Sequence, residues 1–231
     1  MPTKKILCFA PHPDDEMLGC GGSLIKARNK KYKIGICYLT MGENGSPKFS
    51  PNTLKKIRRE EALTVCKKLG VIKEDIYFMN IPDNQIDANN YKSYLKIISL
   101  LRMFRPNTVY LPHENENYHD HKQANRLIQR ALDMSGSNNF LKTRETAWWV
   151  DNVLAYEIST PLCRYNYAEN ISEVIDEKIS ILKLYKSQTL KSGNLSNFIG
   201  DNAKALSAYR ASMSVGKYRE AFQVLRVANI L

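Results

Sequence analysis

The sequence lacks several features that would place it in a large class of proteins. It has no apolar run of membrane-spanning length, and the apolar segment near the N-terminus meets His12 too soon to be the core of a signal peptide. Its five cysteines form no C-x-x-C pair, which argues against a disulfide framework and against a cysteine zinc site. We therefore expect a cytoplasmic protein with reduced cysteines and no integral membrane association.

The 231 residues also contain no internal repeat, no low-complexity tract and no clear interdomain linker, so we expect a single domain over residues 1–231. The net charge of +11 raises the question of a nucleic-acid partner. However, the basic residues are spread along the chain, which favours a solvated surface over a nucleic-acid site. No nucleic-acid partner is expected, and a homo-oligomer is compatible with the sequence.

Short apolar segments rich in β-forming residues alternate with amphipathic segments along most of the chain. They predict strands at 5–10, 33–39, 76–80, 108–111 and 152–156. They predict helices that end near residues 29 and 134, and helices at 51–69, 91–104, 175–185, 203–213 and 218–225. The alternation predicts a three-layer α/β/α fold with a Rossmann-like, mostly parallel sheet and helices on both faces.

One imidazole and three carboxylates follow the first strand directly, in Ala10-Pro11-His12-Pro13-Asp14-Asp15-Glu16. This concentration of negative charge is favourable beside a cation, and His12 and Asp15 can surround one ion while Asp14 points elsewhere. Nitrogen and oxygen ligands suit zinc or another first-row divalent metal. A surface turn rich in Pro and Asp is the alternative. A phosphate-binding loop fits less well, because the ordered G-x-G-x-x-G spacing is absent.

A second cluster of potential metal ligands, residues 112–121, follows the fourth strand and contains three histidines. In the doubly wound strand order 3-2-1-4, strands one and four are neighbours and their carboxyl ends flank a crevice. His12 and His121 would then face each other, although a polar loop without a metal is the alternative interpretation of this cluster alone. An ion held by three side chains keeps an open position, acidifies bound water and polarises a carbonyl, which is the chemistry of amide or ester hydrolysis. Asp14 is placed to act as general base.

The segment His12-Pro13-Asp14-Asp15-Glu16-Met17-Leu18-Gly19-Cys20-Gly21-Gly22 closely resembles the opening motif of the PIG-L/LmbE-type zinc-dependent de-N-acetylases. Asp120-His121 matches a second specific motif of that family. Weaker similarities extend along the chain at Leu39-Thr40-x-Gly42-Glu43, Arg58-x-x-Glu61-Ala62, Pro82-Asp83-Asn84, Tyr156-Glu157 and Tyr185-Lys186-Ser187-Gln188.

This resemblance implies a zinc-dependent hydrolase that removes the N-acetyl group from an N-acetylglucosamine-type amino-sugar conjugate, giving a free amine and acetate. It implies one Zn²⁺ per chain, with other divalent first-row metals as alternatives. By position, the ion would be held by His12, Asp15 and His121. The matched positions also give Asp14 as the base, Asp120 as a residue that orients a metal ligand, and Arg58 and Asp83 as substrate-binding residues.

The second cluster departs from the family at one position. The family often has His-x-Asp-His there, and its first histidine assists the oxyanion or the leaving amine, whereas this chain has Tyr118. Tyr118 could donate that hydrogen bond, or His113 or His119 could reach in from the same loop. We expect His113 to take this catalytic role, with Tyr118 as the second candidate.

The sequence leaves two other functions open. One is a metal-dependent amidase acting on a non-sugar conjugate such as a thiol S-conjugate. The other is a nucleotide-binding module whose glycines contact phosphate while the acidic residues bind magnesium. Within the hydrolase interpretation, the absence of a lipid-inserting segment favours a soluble small-molecule conjugate, but the sequence does not identify its aglycone.

Overall fold

The strands form one mostly parallel sheet. The computed structural model describes residues 3–138, 145–189, 199–212 and 214–228, and their strands are ordered β3-β2-β1-β4-β5-β7-β6. The bounds are β1 Lys5–Ala10, β2 Lys33–Tyr38, β3 Ile76–Phe78, β4 Thr108–Pro112, β5 Asn152–Tyr156, β6 Tyr167–Asn170 and β7 Arg219–Val227. The first five strands pair in parallel, while β7 is antiparallel to β5 and to β6. The predicted order 3-2-1-4 is confirmed.

Helices cover both faces of the sheet. Their bounds are α1 Asp15–Asn29, α2 Pro51–Lys68, α3 Tyr91–Phe104, α4 His119–Ser135, α5 Ile175–Leu182, α6 Lys186–Thr189 and α7 Ile199–Ala211. Side chains of β1 alternate between two buried clusters: Ile6 and Cys8 pack with α1 and α5, whereas Leu7 and Phe9 pack with α3 and α4. The predicted three-layer α/β/α architecture is therefore confirmed.

The C-terminal part of the sheet differs from the sequence prediction. Residues 218–225 were expected to form a helix, but residues 219–225 lie in strand β7, and strand β6 was not predicted. The sequence shows two adjacent apolar pairs there, which fit either structure. The edge of β5 decides between them, because its backbone groups need a partner, and Phe222 packs between Tyr110 and Tyr167 once β7 is in place. The predicted end of the preceding helix, residue 213, lies outside the described residues.

The five cysteines are free thiols, as expected. Among the described residues, no helix is both long and apolar enough to cross a bilayer.

Helix α1 starts before the glycines and bends among them. It begins at Asp15, and Cys20 has a non-helical conformation (φ −138°, ψ 18°) that interrupts the helical hydrogen bonds. The freed N–H groups of Gly22 and Ser23 donate to the buried carboxylate of Glu220, at 2.7 and 2.8 Å. Gly19 is needed for close packing, because a Cβ there would lie 2.0 Å from the Tyr156 ring. The glycines thus allow α1 to pack tightly against the sheet.

We expect the Glu220 carboxylate to be essential for stability. It accepts the two α1 amides and forms a fully buried ion pair with Lys178, at 2.8 Å. Glu220→Ala would leave the Lys178 ammonium buried without its partner, which costs about 3–5 kcal/mol. The free energy of unfolding, measured by urea denaturation, should fall by that amount.

The matched control is Glu177→Ala. Glu177 forms a partly exposed ion pair with Arg28, and such pairs contribute about 0–1 kcal/mol. Equal losses of unfolding free energy in the two variants would contradict this role of Glu220.

Candidate metal centre and active site

Two loops at the carboxyl edge of the sheet bring the predicted ligands together. His12 follows β1 and Asp15 begins α1, while His121 lies in the first turn of α4, just after β4. Strands β1 and β4 are paired neighbours, so these loops leave the sheet side by side. The three side chains form one compact group of potential metal ligands, which we call the metal-type group.

The spacing of their donor atoms suits a metal ion. Asp15 Oδ2 lies 3.1 Å from His12 Nδ1 and 3.3 Å from His121 Nε2, and these two nitrogens are 3.3 Å apart. Tetrahedral coordination with zinc–ligand bonds near 2.0–2.1 Å separates donor atoms by about 3.4 Å. Three donors at nearly that spacing leave one coordination position open, which is the pattern of a catalytic rather than a structural metal site.

The other nitrogen of His12 faces two more carboxylates. His12 Nε2 lies 3.2 Å from Asp83 Oδ1 and 3.4 Å from Asp120 Oδ2. The Asp120 oxygens accept the backbone N–H groups of Asn84 and Ile86, and Asp83 accepts that of Asn44. These carboxylates are bound by backbone donors and are placed to orient the His12 ring. Together with His12 they also form a second group with metal-ligand spacing.

The cluster shifts the pKa values of its members in opposite directions. Burial alone would lower the pKa of His12, but the carboxylates of Asp120, Asp15 and Asp83 raise it well above its ordinary value. Burial also opposes the charge on His121, yet Asp15 and Glu116 raise its pKa to about 9. Burial would raise the pKa of Asp15, but His121 and His12 hold it well below its usual range. The site therefore favours positive charge at its centre.

Asp14 is held beside this group in an unusual backbone conformation. Its φ of 116° lies in the left-handed region, where a non-glycine residue is strained by about 1–3 kcal/mol. Its N–H donates to Glu16 Oε2 at 3.2 Å, and its Oδ1 accepts from Arg58 at 3.2 Å. Burial raises the pKa of Glu16 to about 8, so this carboxyl adds little negative charge next to Asp14 at neutral pH. With this backbone conformation the Asp14 side chain lines the cavity, while Asp15 contacts the two histidines.

Arg58 is buried and binds the protein itself. Its guanidinium donates to Asp14 and to the carbonyls of Pro13 and Gly42, and its side chain is 3% exposed. Gly42 has a φ of +59°, and a Cβ at that position would lie 2.0 Å from Arg58 Nη1. These bonds make Arg58 a support for Asp14 and for the loop after β2.

A cavity of about 290 Å³ opens above the metal-type group. Its lining includes His12, Asp14, Asp15, Asp83, His121 and Arg58. Tyr118 lies at its rim with 61% of its surface exposed, and its ring centroid is 5.4 Å from that of His121. Ser159 also lines the cavity, whereas Glu157 is buried in an ion pair with Arg210.

The structure does not bring His113 to this cavity. Its side chain is buried, and its Nε2 lies 2.7 Å from the Thr160 carbonyl and 3.1 Å from Glu116 Oε1. Its Nδ1 accepts the N–H of Asn115. Both ring nitrogens are therefore engaged away from the metal-type group, and the residue of the second cluster that reaches the rim is Tyr118.

Sequence reasoning assigned no role to Glu116, which lies 3.4 Å from His121 Nδ1. Burial would raise its pKa, but His113, His121 and Ser159 hold it well below its usual range, so the group is a buried carboxylate anion. The signal in the sequence was its position between two histidines of the same cluster. Sequence alone does not distinguish Glu116 from the nearby Glu114, which is exposed.

Two further motifs of the sequence meet behind the cavity. Ser187 donates its N–H and hydroxyl to the carboxylate of Glu61, at 2.8 and 2.6 Å, which joins α2 to α6. The next residue, Gln188, lines the cavity. The weaker similarities noted in the sequence thus fall on residues that fix the walls of the site.

Two imidazoles and a carboxylate around one open position, with a further carboxylate beside them, form a site suited to metal-dependent hydrolysis. The family model described as "PIG-L: GlcNAc-PI de-N-acetylase" matches residues 7–132, which is more than half of the chain. The chain belongs to the PIG-L family.

Individual relatives agree with this assignment. The chain is 28% identical over 195 residues to diacetylchitobiose deacetylase of Thermococcus kodakarensis, covering 80% of this chain and 70% of that protein. It is 22% identical over 191 residues to a probable N-acetyl-alpha-D-glucosaminyl L-malate deacetylase 2 of Bacillus subtilis, covering 80% and 83%. A solved structure of a conserved protein from Thermus thermophilus is 27% identical with a TM-score of 0.84, covering 98% and 96%.

We expect zinc binding to release protons. The pKa of His121 is about 9, so its imidazole is protonated near neutral pH, and a metal can only be bound by the neutral ring. Titration of the metal-free protein with Zn²⁺ in weakly buffered solution should release protons at about pH 7, and the number released should decrease as the pH approaches about 9.

The control is His119→Gln, which removes an exposed histidine of the same loop. It should release the same number of protons per zinc as the unchanged protein. A proton release that stays constant from neutral to alkaline pH would contradict the protonated state of the site.

Proposed function

We propose that this chain is a metal-dependent N-deacetylase that removes the acetyl group from an N-acetylglucosamine-type conjugate, giving acetate and the free amine. The observation that carries the proposal is the set of three donor atoms 3.1–3.3 Å apart, with the Asp14 carboxylate beside them in the same cavity. Membership of the PIG-L family and similarity to named deacetylases support it.

His12, Asp15 and His121 are the residues that would hold the ion, and their mixed nitrogen and oxygen donors suit Zn²⁺. When bound, the ion would polarise the amide carbonyl and acidify the attacking water. The protein's own contribution is to hold the two rings in fixed orientations. Asp120 and Asp83 orient His12, so the donor atom that faces the cavity is always Nδ1.

Asp14 serves as the general base of the proposed reaction. Its carboxylate lines the cavity and is positioned by a bond from Arg58, so it is placed to accept a proton from water. Proton transfer from Asp14 to the departing nitrogen would then complete the cleavage, because an amine leaves more readily when it is protonated. Arg58 contributes by fixing Asp14, and Asp83 contributes by fixing His12 at the cavity wall.

Tyr118 is the donor that we assign to the developing oxyanion or to the leaving group. It lies at the rim of the cavity, and its ring is next to that of His121. A phenol can donate a hydrogen bond throughout the neutral pH range. His113 fits this role less well, since its two nitrogens are bonded to Thr160, Glu116 and Asn115.

The described lining of the cavity favours an uncharged conjugate. It contains the carboxylates of Asp14, Asp15 and Asp83. Apart from the two imidazoles of the metal-type group, the lining cation among the described residues is Arg58, whose guanidinium binds Asp14 and two carbonyls. The neutral side chains of Asn44, Asn84, Ser159 and Gln188 are suited to sugar hydroxyl groups. We therefore propose a neutral sugar or polyol as the aglycone, in preference to a dicarboxylate such as malate.

Acetate release tests the function directly. The purified zinc-loaded protein should release acetate from N,N'-diacetylchitobiose with a higher kcat/KM than from N-acetylglucosaminyl malate, because Arg58, the described lining cation outside the metal-type group, is bonded to Asp14 and is not directed at a dicarboxylate. Asp14→Asn should retain stoichiometric zinc and lose most of the rate, by about 10²–10⁴-fold, since only the base is removed. Asp15→Ala should lose the zinc itself.

Three outcomes would contradict the proposal. They are no acetate from either conjugate by a zinc-loaded protein, equal zinc content and equal residual rates in the two Asp variants, and a preference for the malate conjugate. The last outcome would overturn only the choice of aglycone.

Tyr118→Phe tests the proposed donor. The change removes one hydroxyl and keeps the ring, so zinc content should be unaffected while kcat falls by about 10²-fold, a typical loss for one oxyanion donor. His119→Gln, in the same loop and exposed, should leave kcat unchanged. If Tyr118→Phe retains full turnover while His113→Gln lowers kcat at unchanged zinc affinity, the donor is His113.

A further inference from the structure

Glu116 connects three parts of the fold through one buried carboxylate. Its side chain is fully buried on the loop that joins β4 to α4. Oε1 accepts the N–H of Ile158 at 2.8 Å, and Oε2 accepts the hydroxyl of Ser159 at 2.7 Å. The N–H groups of Ser159 and Thr160 also point to this carboxylate. Residues 158–160, the loop that follows β5, are therefore wrapped around the Glu116 side chain.

The same carboxylate also faces two imidazoles. Oε1 lies 3.1 Å from His113 Nε2, and Oε2 lies 3.4 Å from His121 Nδ1. His113 Nδ1 accepts the N–H of Asn115, so its proton is on Nε2, between Glu116 and the Thr160 carbonyl at 2.7 Å. His113 thus links Glu116 to the same loop a second time.

The position of Glu116 fixes which nitrogen of His121 is available to an ion. With Nδ1 directed at the carboxylate, Nε2 is the atom that lies 3.3 Å from both His12 Nδ1 and Asp15 Oδ2. A carboxylate behind a metal-binding histidine orients the ring and raises the basicity of the nitrogen that binds.

The loop on the other side of Glu116 forms part of the cavity wall, because Ile158 and Ser159 both line the cavity. One carboxylate therefore touches a metal-type ligand and a wall that substrate would contact. A shift of the His121 ring on metal binding would move or restrain that wall through the Glu116 side chain. A restraint of the wall would act on the His121 ring through the same side chain.

We propose that Glu116 is a positioning residue that couples occupancy of the metal site to the conformation of the 158–160 wall. The proposal rests on the proposed function in one respect only, the assignment of His121 as a metal ligand. When the ion is bound, the 158–160 wall is fully ordered for substrate. Conversely, a ligand that lies on the wall strengthens metal binding.

Backbone amide hydrogen exchange, followed residue by residue by NMR, tests the coupling in the unchanged protein. Zn²⁺ should slow exchange of the Ile158, Ser159 and Thr160 amides. The Thr53 amide, which bonds to Ser50 at the start of α2, should exchange at the same rate with and without zinc. If zinc leaves the 158–160 amides unchanged, or slows Thr53 equally, the proposal is wrong.

Glu116→Gln tests whether the carboxylate carries the effect. The amide is nearly the same size but has only one acceptor oxygen. Zinc affinity, measured by competition with a coloured chelator, should fall by about 10–100-fold, and the zinc-dependent protection of residues 158–160 should disappear. Wild-type zinc affinity in this variant would overturn the proposal.

Ser159→Ala is the matched control. It removes one contact between the wall and Glu116 but leaves the carboxylate next to His121. Exchange at residue 159 should become faster while zinc affinity stays within about threefold of the wild-type value, well short of the loss expected for Glu116→Gln. A loss of zinc affinity equal to that of Glu116→Gln would show that the wall, not the carboxylate, supports the ligand, and would overturn the proposal. These measurements use no substrate, so an inactive protein that shows the coupling would refute only the proposed function.

Discussion

Parallel pairing of β1 with β4 is the constraint on which the site depends. Cys8 pairs with Tyr110 in that register, so the loops that follow the two strands leave the same edge of the sheet next to each other. If β1 were shifted by one residue relative to β4, every β1 side chain would point to the opposite face of the sheet. The packing of β1 does not permit this, because its side chains are buried in a different cluster on each face. The apolar core therefore holds His12 Nδ1 and His121 Nε2 3.3 Å apart, although the two residues are 109 positions apart in the chain.

His12 and His121 are each oriented by a carboxylate. Asp120, at the start of α4, faces His12 after β1, and Glu116 holds His121 against the loop that follows β5. The orienting carboxylates are in turn bound by backbone N–H groups, which satisfy them in a buried position. The site is thus pre-arranged, and the concentration of negative charge that results would be stabilised by a cation at its centre.

The fold and the meeting of His12, Asp15 and His121 could be predicted from sequence because their signals are local. Alternating apolar segments predicted five strands, and the residues after the first and fourth strands indicated His12, Asp15 and His121. The C-terminal strand β7 could not be predicted, because the apolar pairs around Phe222 fit a helix as well, and only the open edge of β5 selects a strand. The contacts of Arg58 and His113 could not be predicted from sequence either. Both residues are polar and near the motifs, and only tertiary contacts show that they bind the protein itself.

The strained backbone at Asp14 explains why two adjacent carboxylates can have different roles. At a regular helix start, the side chains of Asp14 and Asp15 would be rotated by about 100° from each other around the helix axis. Their directions would then be set by the helix geometry alone. Here the left-handed φ of Asp14 separates them sharply, and Arg58, Glu16 and the required glycine at position 42 hold that conformation. Such strain persists only where the surrounding contacts determine it. The same contacts leave Asp15 aligned with the histidines and Asp14 aligned with the cavity, so the division that we propose, with Asp15 as ligand and Asp14 as base, would follow from the backbone.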